Sequence, residues 1–306
     1  MVTPLKGTLL LIVGTLALGG TSLLISTVEA DPISIAALRC LLAVPMLLPL
    51  VLWELRRVRR EDALPRRTLI GAAVAGLALG VDYSFWNSSI HLVGPGIATV
   101  LLNIQLVLLP LIAWTVDRVQ PMPQLAAIVP LMLTGVLLTA GAAESLRSGE
   151  LQLRGVLFGL AAGAGYAIYL AVIRRTAPPT VKPAPFSVLT VVCLSAGAAA
   201  AVAALISGRW TWPATGGDWG GMLTLAFVGQ LVVFWCLNVG MTGISETATS
   251  TLLLLPGVFA VALAALLLGE LPDPGQLIGC ALIIGGAWWA SLASRRRSLR
   301  PPDGER

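Results

Sequence analysis

Only two charged residues, Arg39 and Asp82, stand well inside long apolar stretches of this 306-residue chain. A guanidinium and a carboxyl so placed have two chemistries open to them. They can offset one another's desolvation as a static ion pair, or the carboxyl can carry a coupling proton in a water-accessible cavity. The two readings predict opposite titration behaviour of Asp82, because desolvation and a nearby cation act on a carboxyl in opposite senses. Tyr83, Asn87 and His91 follow at intervals of four, which places them along one face of a helix. His91 is the single histidine, and one imidazole makes no metal site, so no metal and no cofactor is expected. The cysteines at 40, 193, 236 and 280 form no CxxC pair and read as small buried hydrophobes. One deep acid and one shallow histidine are thin material for catalysis, and an enzyme is not expected.

The elements that carry these residues are legible from hydropathy. Residues are 57% hydrophobic and 11% charged, and ten apolar stretches, of about 19 to 25 residues each, follow one another with short polar breaks. They span residues 7–28, 33–53, 68–92, 95–116, 124–143, 155–173, 186–207, 219–241, 247–268 and 276–294. In hydrocarbon only a helix or a closed barrel satisfies its own backbone, so the pattern predicts an all-α membrane protein with ten transmembrane helices. With the N-terminus inside, 16 of the 20 basic residues fall on one side, among them Arg56, Arg57, Arg66, Arg67, Arg174, Arg175 and the Arg295–Arg297 run. The positive-inside rule then places both termini in the cytoplasm, with 295–306 as a basic tail. The net charge of +5 is thus topological and calls for no nucleic acid. The first apolar run exceeds a typical signal-peptide core of about 7 to 15 residues and reads as a retained helix.

Residues 87–123 laid over 238–274, at an offset of 151, match Asn87 with Asn238, Thr99 with Ser250, Leu101-Leu102 with Leu252-Leu253, Pro121 with Pro272 and Pro123 with Pro274. Helices 3 to 5 thereby align with helices 8 to 10. Five is odd, so the two copies, 1–146 and 147–294, must cross the membrane in opposite senses, as two inverted five-helix repeats. Such repeats place a binding site near the midplane between them and permit alternating access. On helix 8 the face matching Tyr83, Asn87 and His91 carries Phe234, Asn238 and Thr242, with Gln230 one turn further. Helix 4 adds Asn103 and Gln105, and helix 6 adds Tyr166 and Tyr169. Trp86 and Trp235 lie about six residues inside their spans and are candidate cavity walls or gates, whereas the other seven tryptophans fit interfacial belts. The alternative for each amide or hydroxyl is a hydrogen bond across helices for stability. The spacings Gly155-x-x-x-Gly159-x-x-x-Gly163, Gly76-x-x-x-Gly80 and Gly275-x-x-x-Gly279 suit close helix packing within one chain, or a homodimer seam.

The duplicated plan, the Asp31-Pro32 turn with Ala37-Leu38-Arg39, the Leu-rich helices 4 and 9, and Leu268-Gly269-Glu270-Leu271 followed by Gly279 and Gly285-Gly286 resemble the drug/metabolite transporter superfamily, with two EamA-type domains over nearly the whole chain. The first copy departs from the pattern, with Gln105 and Val119 where Pro256 and Glu270 align. The resemblance implies a secondary transporter that exports a small metabolite, an amino acid or a related amphiphile, by proton antiport or facilitated diffusion across a bacterial inner membrane. No Walker loop is present to couple ATP. The partners expected are the small-molecule substrate, the lipid bilayer and protons, with the chain a monomer or homodimer. A lipid or glycolipid flippase of the same fold, and an intramembrane enzyme, are the alternatives.

Overall fold

The computed structural model describes residues 3–57, 64–118, 123–139, 150–176, 185–241, 252–269 and 272–298. These residues form ten helical segments: α1 (Pro4–Thr27), α2 (Pro32–Arg57), α3 (Arg66–Val93), α4 (Pro95–Asp117), α5 (Leu125–Thr139), α6 (Glu150–Thr176), α7 (Pro185–Ile206), α8 (Gly216–Met241, in three continuous pieces), α9 (Leu255–Leu268) and α10 (Pro274–Ser298). Seven are long and apolar enough to cross a membrane, and shorter apolar runs lie in α5, α9 and α10. A 23-residue helix such as α4 is about 35 Å long, the span of a hydrocarbon core with some tilt. Their outward sides are lined by exposed leucine, valine and isoleucine, for example Leu205, Ile206 and Leu266. The chain is a multi-pass helical membrane protein.

Local signals explain several boundaries. Proline opens α1, α4 and α7 at a position where its missing N–H costs nothing. Gly94 ends α3 at φ 82°, a conformation open to glycine, and its N–H bonds the Ile90 carbonyl at 3.0 Å. Pro95 starts α4 at once, so the two helices form a hairpin with a single residue between them. Three helices are irregular. A 3-10 turn at Leu102–Ile104 interrupts α4, and π-helical stretches occupy Leu225–Val232 in α8 and Ala264–Leu268 in α9.

The packing itself displays the repeat. Each of three helices of the first half lies against its own counterpart in the second: α2 on α7, α4 on α9, α5 on α10. Further contacts mirror one another, α3 against α6 and α7 being answered by α8 against α1 and α2. All three counterpart pairs run antiparallel. At one end of α2, Glu54 accepts hydrogen bonds from the backbone of Phe186 and Ser187 at the start of α7; at the other, Asp31 pairs with Arg209 just beyond the end of α7. In the second pair Gly96 faces Val261 while Val100 faces Gly257, and in the third Gly135 faces Gly279 while Met132 faces Gly286. Counterparts that run oppositely are the definition of an inverted repeat.

The glycine stripes serve these contacts. Gly155, Gly159 and Gly163 of α6 face Val93, Leu101 and Ile104, and Gly76 and Gly80 of α3 face Val192 and Ala196 of α7. Both stripes are spent on packing inside the chain.

Candidate functional site

The fully buried Arg39 comes from the second turn of α2, where the side chain turns inward between α3 and α8. Its Cζ lies 4.3 Å from the ring centre of Tyr83 and 5.7 Å from that of Trp86, one helical turn apart on α3. Room for the guanidinium is left by Gly229 in the π-helical part of α8, where a Cβ would stand 3.0 Å from Nη2. Asp82, 2% exposed, precedes Tyr83 on α3, and the α6 backbone reaches it at Gly165, where a Cβ would stand 3.2 Å from Asp82 Cβ.

Arg39 and Asp82 lie on neighbouring helices, yet no hydrogen bond or ion pair joins them. Nε, Nη1 and Nη2 of Arg39 are all without a hydrogen-bond partner, and so is Oδ1 of Asp82. The static pair open to them in the sequence does not form. A desolvated cation–π contact is worth about 2 kcal/mol or somewhat more and satisfies no N–H donor. Burial of one ion costs several kcal/mol even after relaxation. The arginine is therefore under-compensated by its own protein.

Around this centre Gln230, in the π-helical stretch of α8, donates from Nε2 to Cys40 Sγ and accepts from Cys193 Sγ, each at 3.8 Å. The amide thus ties α2 to α7 through two thiols. Those two cysteines are polar partners here, a role that isolated cysteines in apolar runs give no sign of. Tyr166 and Tyr169 stack at 5.6 Å on α6 and belong with Tyr83 and Cys40 to one cluster, so all three tyrosines of the chain converge. Phe234 closes the neighbouring cluster against Ala43, Leu47 and Cys193.

Other sequence candidates go elsewhere. Asn87 is fully buried and its Nδ2 donates to the Pro32 carbonyl at 3.0 Å, stapling α3 to the first turn of α2, while its Oδ1 is unpaired. Asn103 sits in the 3-10 turn of α4 beside Gly257 of α9, with Nδ2 unpaired, and Gln105 Oε1 one residue after that turn is unpaired as well. Both lie on α4 and have no described contact with Arg39. His91 is exposed near the end of α3. Trp235 is 47% exposed and faces outward, so it joins Trp53, Trp114, Trp288 and Trp289 on the lipid-facing surface rather than walling a cavity. Depth within a span does not decide which side of the helix a residue takes, and Trp235 takes the outward side. Asn238 is placed on α8 by its backbone, but its side chain, like Thr242 and Glu270, lies outside the described residues.

Two further polar clusters hold the ends of the bundle. At one, Asp218 accepts from the Glu29 N–H at 2.9 Å and completes a capping box with Thr215, while Asp31, Ser34, Arg209 and Thr211 bond one another across the α1–α2 and α7–α8 connections. At the opposite end Arg175 of α6 pairs with Asp117 of α4 through two hydrogen bonds.

Similarity to known proteins agrees with the architecture. No curated protein matches the chain. A solved structure described as "Crystal structure of protein" superposes with a TM-score of 0.62 over 96% of this chain and 100% of its own, at 22% identity, which speaks for the fold alone. Residues 5–141 and 153–292 each match the EamA-like transporter family, one match per set of five helices. The chain therefore belongs to the EamA-like transporter family.

Proposed function

We propose that the chain is a secondary transporter that exports small metabolites, amino acids or related amphiphiles, across the bacterial inner membrane, with both termini in the cytoplasm. The observation that carries this reading is the buried, partly unsatisfied polar group of Arg39, Asp82, Tyr83, Trp86 and Gln230, built from helices of both halves. A chain that needed these residues only for stability would pair them. Residues 1–146 and 147–294 are the two units whose exchange of conformations moves the site from one face to the other. Asp82 is the group in this set able to carry a proton, and coupling by proton antiport would run through it.

Uptake and counterflow of a labelled amino-acid mixture in proteoliposomes, with and without an imposed pH gradient, test the proposal. Saturable flux above that of empty liposomes is expected. Asp82→Asn should remove the response to the gradient and leave exchange intact. Absence of flux for every component, together with scrambling of lipid headgroups in the same vesicles, would replace the metabolite exporter by a flippase.

A further inference from the structure

We infer that Arg39 anchors a carboxylate of the transported molecule, whose apolar part lies against the tyrosines of α3 and α6. The inference rests on the transport reading and adds the chemical class of the substrate.

An arginine keeps its charge in any protein environment, so a cation is always present at this buried point. Its contacts with Tyr83 and Trp86 use the charge and none of the five N–H donors. All three nitrogens are without partners, and the neighbouring Asp82, the obvious intramolecular acceptor, does not reach them. A partner must come from outside the chain. The planar fork of N–H groups matches two oxygens of one carboxylate, a geometry in which both are held at once. A doubly charged phosphate fits less well. Among the residues described around the site Arg39 is the one cation, and one cation offsets a single negative charge. The stacked Tyr166–Tyr169 pair and Tyr83 continue the site as ring surface, which suits an aliphatic or aromatic body behind the carboxylate.

The test compares matched acids and amides. Purified protein in detergent is titrated with L-phenylalanine, L-leucine and phenylacetate and with the primary amide of each, reading the thermal midpoint, and the same compounds are offered as competitors of labelled phenylalanine and leucine flux in proteoliposomes. Acids should bind at least about tenfold more tightly than their amides in the wild-type chain. Arg39→Gln should erase the difference, Arg39→Lys should keep part of it by charge without the fork, and Trp235→Phe on the outer surface should leave it unchanged. Equal affinity for acid and amide, or no binding of any acid, would overturn the assignment, and neither result depends on a variant that folds. Preference for acids without flux would remove the transport reading and leave Arg39 standing. Flux without preference would do the reverse.

Discussion

Buried carboxylates in this chain fall into two kinds, and the difference lies in what fills their lone pairs. Glu54 is 6% exposed, and its two oxygens accept from Phe186 N at 3.2 Å, from Ser187 N at 2.8 Å and from the Ser187 hydroxyl, at the positive end of α7. Asp82 is equally buried with an oxygen left over. The first arrangement is a fastening and the second an opening for something else. Glu54→Gln should lower stability by about 1–2 kcal/mol, as loss of a charged cap does, read as a lower thermal midpoint in detergent. An unchanged midpoint would mean that α7 starts without help from α2. Arg39 and Asp82 are legible in the sequence because a charge inside an apolar run is conspicuous. Glu54 gives no such sign, since a glutamate at the end of a span reads as an interfacial charge until the partner helix, about 130 residues away, is seen to begin beside it.

At the scale of the element, hydropathy locates the helices because each apolar run has to cover the same thickness of lipid. The interruptions within helices are a different matter. Nothing local marks Leu225–Val232 for a π-helix or Leu102–Ile104 for a 3-10 turn; these stretches lie where α8 meets α1 and α2 and where α4 meets α6 and α10. Gln230 and Asn103 sit in those irregular stretches, so their neighbours are not readable from a 3.6-residue period, whereas Trp235 is read from its depth in the span, which does not fix the side of the helix it takes. The small-residue stripes are the converse case. Spacing revealed them but left the partner open, and the partners are α7 for α3, and α3 and α4 for α6. Gly80→Leu tests this contact, because its Cβ alone would stand 2.6 Å from the Ala196 carbonyl oxygen of α7. A loss of about 1–3 kcal/mol, the usual cost of overpacking, should appear as early thermal aggregation and poor yield of folded protein. A variant as stable as the parent, with α3 and α7 still in contact, would show that the backbones can part at little cost.

For the whole molecule, the repeat was visible in a faint offset of 151 residues, and the three antiparallel counterpart pairs give it physical form. The end that carries the α1–α2 and α7–α8 connections is held by Asp31, Ser34, Arg209, Thr211 and Asp218. If transport requires this end to part, joining it should stop transport. Asp31→Cys with Arg209→Cys, bridged by a short thiol cross-linker, is expected to abolish flux in proteoliposomes, with recovery on reductive cleavage. Undiminished flux in the bridged protein would show that this end stays shut throughout the cycle. The four native cysteines are buried and leave the added pair as the accessible thiols.

The same pairing has a consequence for how the chain is made. The principal neighbours of α1 are α8 and α9, that of α5 is α10, and α2 rests on α7. When the ribosome has delivered the first five helices, most of the surfaces that will bury them are still unsynthesised. The first half must wait in the bilayer with Arg39 held by the rings of Tyr83 and Trp86 and with open glycine grooves, and it is there, during biogenesis, that lipid fills the surfaces the second half will claim.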